Sequence, residues 1–194
     1  LAFAIYGLSE FYKVSGNKEA LDLAKNFYEL IEKYSFDHEN GGYWEAFTQD
    51  WELLDDLRLS EKDRNDPKTM NTHLHIIEAY ANLYKNWPDV GLKTKIEKLL
   101  GVFETHIIDE QTGHLKLFFD KTWNSQSTGV SYGHDIEAAW LLQESAEVLG
   151  DEALTEKWKA YAIKMANAAI RGFNLDGSLN HEKDTETGHI DSHR

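Results

Sequence analysis

Apolar residues recur at three- and four-residue spacings through most of this chain, the period of one face of an α-helix. The pattern predicts six helices, over residues 1–15, 17–35, 67–87, 91–108, 131–149 and 151–171. Within each successive pair the connection is short and holds a turn signal: SGNKE, NWPDVG and LGDEA. Asn17 and Asp151 can accept the free N–H groups of a first turn, and Gly16 and Gly150 suit the left-handed stop of a helix. After each pair the texture changes. FDHENGGYWEAFTQDWELL (36–54), IDEQTGHLKLFFDKTWN (108–124) and FNLDGSLNHEKD (173–184) each hold an acidic, glycine-containing turn followed by alternating or aromatic residues. They predict short hairpins turning at Gly41, Gly113 and Gly177, which lie 72 and 64 residues apart.

The unit is therefore helix, helix, hairpin, three times over. Paired-helix units stack into a solenoid or close into a ring. A period of roughly 65 residues is well above the 34 of a common helical binding repeat. It suits an all-α toroid of inner and outer helices, with the hairpins gathered at one end. Three units make about half of a six-pair ring. The opening LAFAIYGLSEFYKVSG is helical in pattern from its first residue and has no methionine, and the closing HIDSHR brings no final element. The expectation is one domain over residues 1–194, incomplete at both ends, from the middle of a longer protein.

Composition narrows the chemistry. Hydrophobic content of 41% over 194 residues supports a folded core. A formal charge of −14, from 34 acidic and 20 basic residues, would repel a phosphate backbone, so nucleic acid is not an expected partner. With no cysteine there is no disulfide, thiolate metal site or thiol nucleophile. No apolar run has the length of a membrane span, and no stretch has the charged-then-apolar build of a signal peptide. The absent cysteines fit a reducing compartment, and the cytoplasm is the expected location.

Two helices carry the candidate chemistry. On 67–87, Met70, Leu74, Ile77, Ala81 and Tyr84 form an apolar stripe widened by Ile76, Tyr80 and Leu83, while Asn71, His75, Glu78 and Asn82 form a polar one. Asn71 and His75, at i and i+4, can approach each other or a shared ligand; a solvated helix face accounts for the same spacing. On 131–149, His134 falls on the arc of Ala138, Leu141, Ser145 and Val148, with Glu137 to one side and Trp140 farther round that flank. Burial and the helix N-terminus favour a neutral ring, and a carboxylate at i+3 favours a charged one. Such a balance serves a histidine that takes and returns a proton, although a core histidine satisfied by a backbone carbonyl fits the position too. His73 and His75, at i and i+2, point to different faces and cannot chelate one metal, and the pattern is not HExxH. No metal site is expected. His181, His189 and His193 lie in a polar tail and read as solvated.

KTMNTHLHIIEAYANLYK (68–85) and SYGHDIEAAWLL (131–142) resemble signature segments of the cellobiose 2-epimerases, in the N-acylglucosamine 2-epimerase superfamily. LAFAIYGLSEFYKVSG, GGYWEAFTQDW and DGSLNHEKD resemble that family's sequences in the same order, so the likeness covers essentially the whole chain. The resemblance implies an (α/α)6 barrel and inversion at C2 of the reducing-end glucose of a β-1,4-linked disaccharide such as cellobiose. The sugar ring opens, the C1 aldehyde acidifies the C2 hydrogen, a base removes it to give an enediolate, and a proton returns on the other face. No hydride leaves the sugar, so no cofactor is expected.

Carried over by residue, the resemblance makes His134 one of two acid/base histidines and His75 the histidine of ring opening. Asn71 becomes a sugar-binding amide, Glu137 a carboxylate that orients His134 or holds a hydroxyl, and Trp140 an aromatic of the sugar cleft. Glu45, in GGYWEAF, could line that cleft or be a surface strand carboxylate. The family's second acid/base histidine and an N-terminal substrate arginine have no counterpart in this sequence. The fragment alone is therefore expected to be inactive, and the protein to be a monomer that takes a small-molecule disaccharide. The alternatives are an N-acylglucosamine or monosaccharide epimerase on the same fold, an inverting glycosidase needing carboxylates roughly 6.5–9.5 Å apart, and a non-enzymatic α-solenoid scaffold.

Overall fold

The computed structural model describes residues 1–58 and 64–192. Six helices form three antiparallel pairs: α1 (Ala2–Ser15) with α2 (Lys18–Leu30), α3 (Met70–Asn86) with α4 (Val90–Val102), and α5 (Tyr132–Glu147) with α6 (Glu152–Ile170). α1 packs against α3 and α3 against α5, so the first helices of the pairs form one layer, and each second helix packs on the first helix of its own pair. This is the all-α arc of paired helices that the periodicity predicts.

The helix ends are set by local chemistry. Asn17 accepts hydrogen bonds from the Glu19 and Ala20 N–H groups, Asp151 from Leu154, Asp89 from Gly91 and Leu92, and Thr69 from Thr72. Gly16 stops α1 at φ 68°, donating to the Tyr12 carbonyl. α2 and α4 each run on into a π turn, Ile31–Ser35 and Phe103–Ile107, whose wider loop leads straight into the hairpin that follows.

The predicted hairpins are present. Bridges Phe36–Tyr43, Ile108–Leu115 and Phe173–Leu179 close the loops that turn at Gly41, Gly113 and Gly177, all three with positive φ. In the first two, an aspartate side chain (Asp37, Asp109) accepts the backbone N–H groups two and three residues on. The helix expected from residue 67 begins later, because Lys68–Thr69 (β1) is extended and pairs antiparallel with Phe118–Phe119 (β2). Likewise Gly129–Ser131 (β3) pairs with Glu182–Asp184 (β4), and β4 with Ile190–Asp191 (β5). Both α3 and α5 are thus entered from a strand that another hairpin holds in place.

One cluster ties the first two hairpins together. The Lys68 side chain is fully buried, and its ammonium donates to Asp37 Oδ2 (2.7 Å) and to the carbonyls of Gly41 (2.7 Å) and Lys121 (2.8 Å). Trp44 and Trp123 rings lie 4.9 and 4.8 Å from that ammonium. Below it Glu32 accepts the Tyr43 and Tyr80 hydroxyls at 2.7 Å each and pairs with Lys95. Burial, with the Glu32 charge beside it, pushes both phenols well above their ordinary range.

Candidate active site

The N-termini of α3 and α5 open onto two grooves. The first, about 480 Å³, is lined by Asn71, Thr72 and His75 from α3, by Phe3 of α1, and by Trp44, Glu45, Phe47 and Trp51 from the first hairpin region. The second, about 710 Å³, is lined by Thr69 and Asn71, by His134 of α5, and by Glu45, Arg64, Asp66, Phe118 and His181. Asn71 and Glu45 belong to both, so they stand where the grooves meet.

His75 is partly buried, its ring centroid 4.5 Å from that of Phe3 with the planes tilted by 46°, and its Nδ1 3.1 Å from Glu78 Oε2. A carboxylate only accepts, so it fixes the proton on Nδ1 and leaves Nε2 as an acceptor in the neutral ring. The polar stripe of α3 is less solvated than its spacing alone allows. Asn82 is buried and donates to the Tyr6 carbonyl, and Asn86 donates to that of Ser9, so the stripe seats α3 on α1.

His134 is also partly buried, and its Nδ1 lies 2.9 Å from Ser131 Oγ. Ser131 holds the N-cap position of α5, where a serine ordinarily accepts a first-turn N–H. It makes no such bond here; its buried hydroxyl is on His134 instead. The hydrogen-bond partner of His134 Nδ1 in this structure is Ser131; Glu137 makes no hydrogen bond to the ring among the described residues. Glu137 and Trp140 line neither groove, and Trp140 is 54% exposed on the flank of α5.

His73, on a different face of α3 from His75, is a core histidine. It is fully buried, donates from Nδ1 to the Thr69 carbonyl (2.7 Å) and accepts at Nε2 from the Tyr43 N–H (2.9 Å). Burial pushes it down to about 4. Both its nitrogens are used, and among the described residues no three His, Asp or Glu side chains converge on a metal.

Some groove residues carry little or no weight in the sequence. Glu45 is no free surface carboxylate: its Oε2 accepts both the Thr69 and Thr72 hydroxyls at 2.7 Å. Arg64 reaches the groove rim, bonded to Asp66 Oδ2 (2.7 Å) and the Gln126 carbonyl (2.6 Å) and set over the Phe118 ring. His181 is exposed as expected of a polar segment, yet it lines the second groove beside His134. His193 lies outside the described residues. An i, i+3 carboxylate beside His75, the same spacing as His134 and Glu137, was the one available sign of Glu78's role.

The N-acylglucosamine 2-epimerase family profile matches residues 1–194, and the chain belongs to that family. Its sequence is 51% identical over 191 residues to the cellobiose 2-epimerase of Bacteroides fragilis, an alignment covering 98% of this chain and 49% of that protein. Among solved structures, a sugar epimerase from a ruminal bacterium matches with TM-score 0.92 at 41% identity, over all of this chain and 49% of that one. The cellobiose 2-epimerase of Bacillus thermoamylovorans B4167 matches with TM-score 0.90 at 41% identity, over 98% and 48% respectively. The chain thus spans about half the length of the relatives it matches, as three α/α units of an (α/α)6 barrel do.

Proposed function

We propose that the protein to which this chain belongs is a carbohydrate 2-epimerase that inverts C2 of the reducing-end glucose of β-1,4-linked disaccharides such as cellobiose. The observation that carries the reading is the pairing of histidines across one junction. His75 and His134 sit in adjoining grooves that share Asn71, and each has its Nδ1 occupied, by Glu78 and Ser131 respectively. In both rings Nε2 has no protein partner among the described residues.

The chemistry follows from what each partner permits. Glu78 holds His75 as an Nε2 acceptor, suited to taking the proton of the anomeric hydroxyl: the O–H electron pair forms the C1 carbonyl, the C1–ring oxygen bond breaks, and the proton on Nε2 passes to the departing ring oxygen. The Ser131 hydroxyl can either donate to or accept from His134 Nδ1. With Oγ accepting from Nδ1–H, Nε2 is a base in the neutral ring and an acid once it has taken a proton. As base, His134 removes the C2 proton; the C–H electron pair becomes the C1–C2 double bond of an enediolate with the negative charge on O1. Inversion requires the proton to return on the opposite face. The resemblance assigns that step to a second histidine outside residues 1–194, so those residues form one catalytic domain only together with further chain. Asn71 holds the sugar at the junction, with Glu137 and Trp140 on the flank where a longer protein would complete the cleft. The reading extends to a cytoplasmic monomer, which sizing chromatography and cell fractionation test.

Proton NMR of cellobiose in D2O with the full-length protein tests the reaction. The expected result is loss of the C2 proton signal and growth of a mannose-type reducing end, both abolished in His134→Asn. No exchange by the folded full-length protein would sink the disaccharide reading and turn attention to N-acylglucosamine.

A further inference from the structure

Among the described residues Glu45 is the one carboxylate that lines both grooves, and its two oxygens are not equivalent. Oε2 accepts the hydroxyls of Thr69, which lines the groove of His134, and of Thr72, which lines the groove of His75. Thr69 is also the N-cap of α3, so the carboxylate is fixed at the positive end of that helix. The backbone holds it as well, since the Glu45 N–H donates to the Pro67 carbonyl (3.1 Å). Oε1 has no partner among the described residues. A partly buried, rigidly held, charged acceptor with one oxygen left over is poorly explained as a staple, because a staple needs Oε2 alone.

We infer that Glu45 is a substrate-positioning residue whose Oε1 accepts a hydroxyl of the reducing-end sugar at the junction between His75 and His134, which Asn71 also lines. This inference rests on the 2-epimerase reading above. A sugar that presents its anomeric oxygen to His75 and C2 to His134 must cross that junction, and a charged acceptor there fixes its rotation.

Glu45→Gln in the full-length protein separates the two roles. The glutamine carbonyl can still accept both threonine hydroxyls, while the groove side exchanges a charged acceptor for a neutral donor. The expected result is an unchanged Tm with KM for cellobiose raised ten-fold or more, whereas Glu45→Ala lowers Tm and activity together. KM within two-fold of wild type in Glu45→Gln would overturn the inference and leave Glu45 a staple. Should Glu45→Gln lower Tm, cellobiose analogues deoxygenated singly on the reducing ring decide. The wild type should lose affinity for one analogue that Glu45→Gln no longer discriminates; equal discrimination by both enzymes overturns the proposal. An inactive wild type would instead count against the epimerase reading itself, so the two failures are distinguishable.

Discussion

His73 is held from both sides by backbone, at the Thr69 carbonyl and the Tyr43 N–H, and its place in the core makes the protonated ring costly. Its folded value of about 4 lies below the ordinary 6.5, so above pH 6.5 both folded and unfolded forms are neutral and its full contribution is present. Between pH 6.5 and 4 the unfolded chain binds a proton that the folded one refuses. Stability should therefore fall across that window, by roughly 3 kcal/mol in total. Urea melts of wild type and His73→Gln from pH 7.5 to 4 check this, and a wild-type slope no steeper than the variant's would refute it. At this scale the sequence separates His73 from His75 only by helix face. The resemblance singled out His75 and His134, but their Nδ1 partners were hidden. Glu78 and Glu137 share one spacing, yet only Glu78 meets its histidine, since Ser131 occupies the equivalent place beside His134. A serine before a helix reads as a cap, and nothing in the order of residues shows that its hydroxyl is turned elsewhere.

The hairpins are the elements on which the site depends, because the strand leading into α3 and both groove walls hang from them. Gly42 shows how close that packing is: its φ is 78°, and a Cβ there would stand 2.3 Å from a Trp123 ring carbon and 2.7 Å from His73 Nε2. Gly42→Ala should cost well over 1 kcal/mol from conformation alone, with ring overlap added, and depress activity through displaced Glu45. A thermal melt reads the first, and KM the second. Lys68→Met attacks the same joint electrostatically. Burial alone would raise the Asp37 carboxyl, but the Lys68 ammonium and two backbone N–H groups hold it below its usual range. Removing the ammonium leaves Asp37 buried without its countercharge, and a loss of about 3–5 kcal/mol is expected in denaturant titration. An unchanged midpoint would show that Asp37 relaxes to solvent. The helices were legible to within a few residues, since their apolar period runs for three turns or more. The strands β1 to β5 were not. At two or three residues each they have no period of their own, and their pairing depends on segments such as 68 and 119 that only the folded arc brings together.

On the scale of the molecule, the apolar surface left uncovered is concentrated at the two ends of the arc. Phe11 and Val14 on α1 are 50% and 80% exposed, and Ile163 and Ile170 on α6 are 61% and 58% exposed. Between these ends the core is continuous through α3, α4 and α5. Apolar faces at both ends of an arc are what adjoining helices of a ring would cover, and the matched relatives have about twice this length. The grooves follow the same logic. On the proposed 2-epimerase reading, His75, Asn71 and His134 would all act from one side of the sugar, whereas inversion would need a proton delivered from the other side. Residues 1–194 expressed alone should therefore self-associate or bind a hydrophobic dye, and should not exchange the C2 proton of cellobiose in D2O, while the full-length protein does neither of the former and performs the latter. Light scattering, dye fluorescence and NMR on the two proteins side by side make the comparison. A dispersed, dye-silent, active fragment would mean that these three helix pairs carry both proton carriers, and His181, beside His134 in the second groove, would then be the residue to replace next.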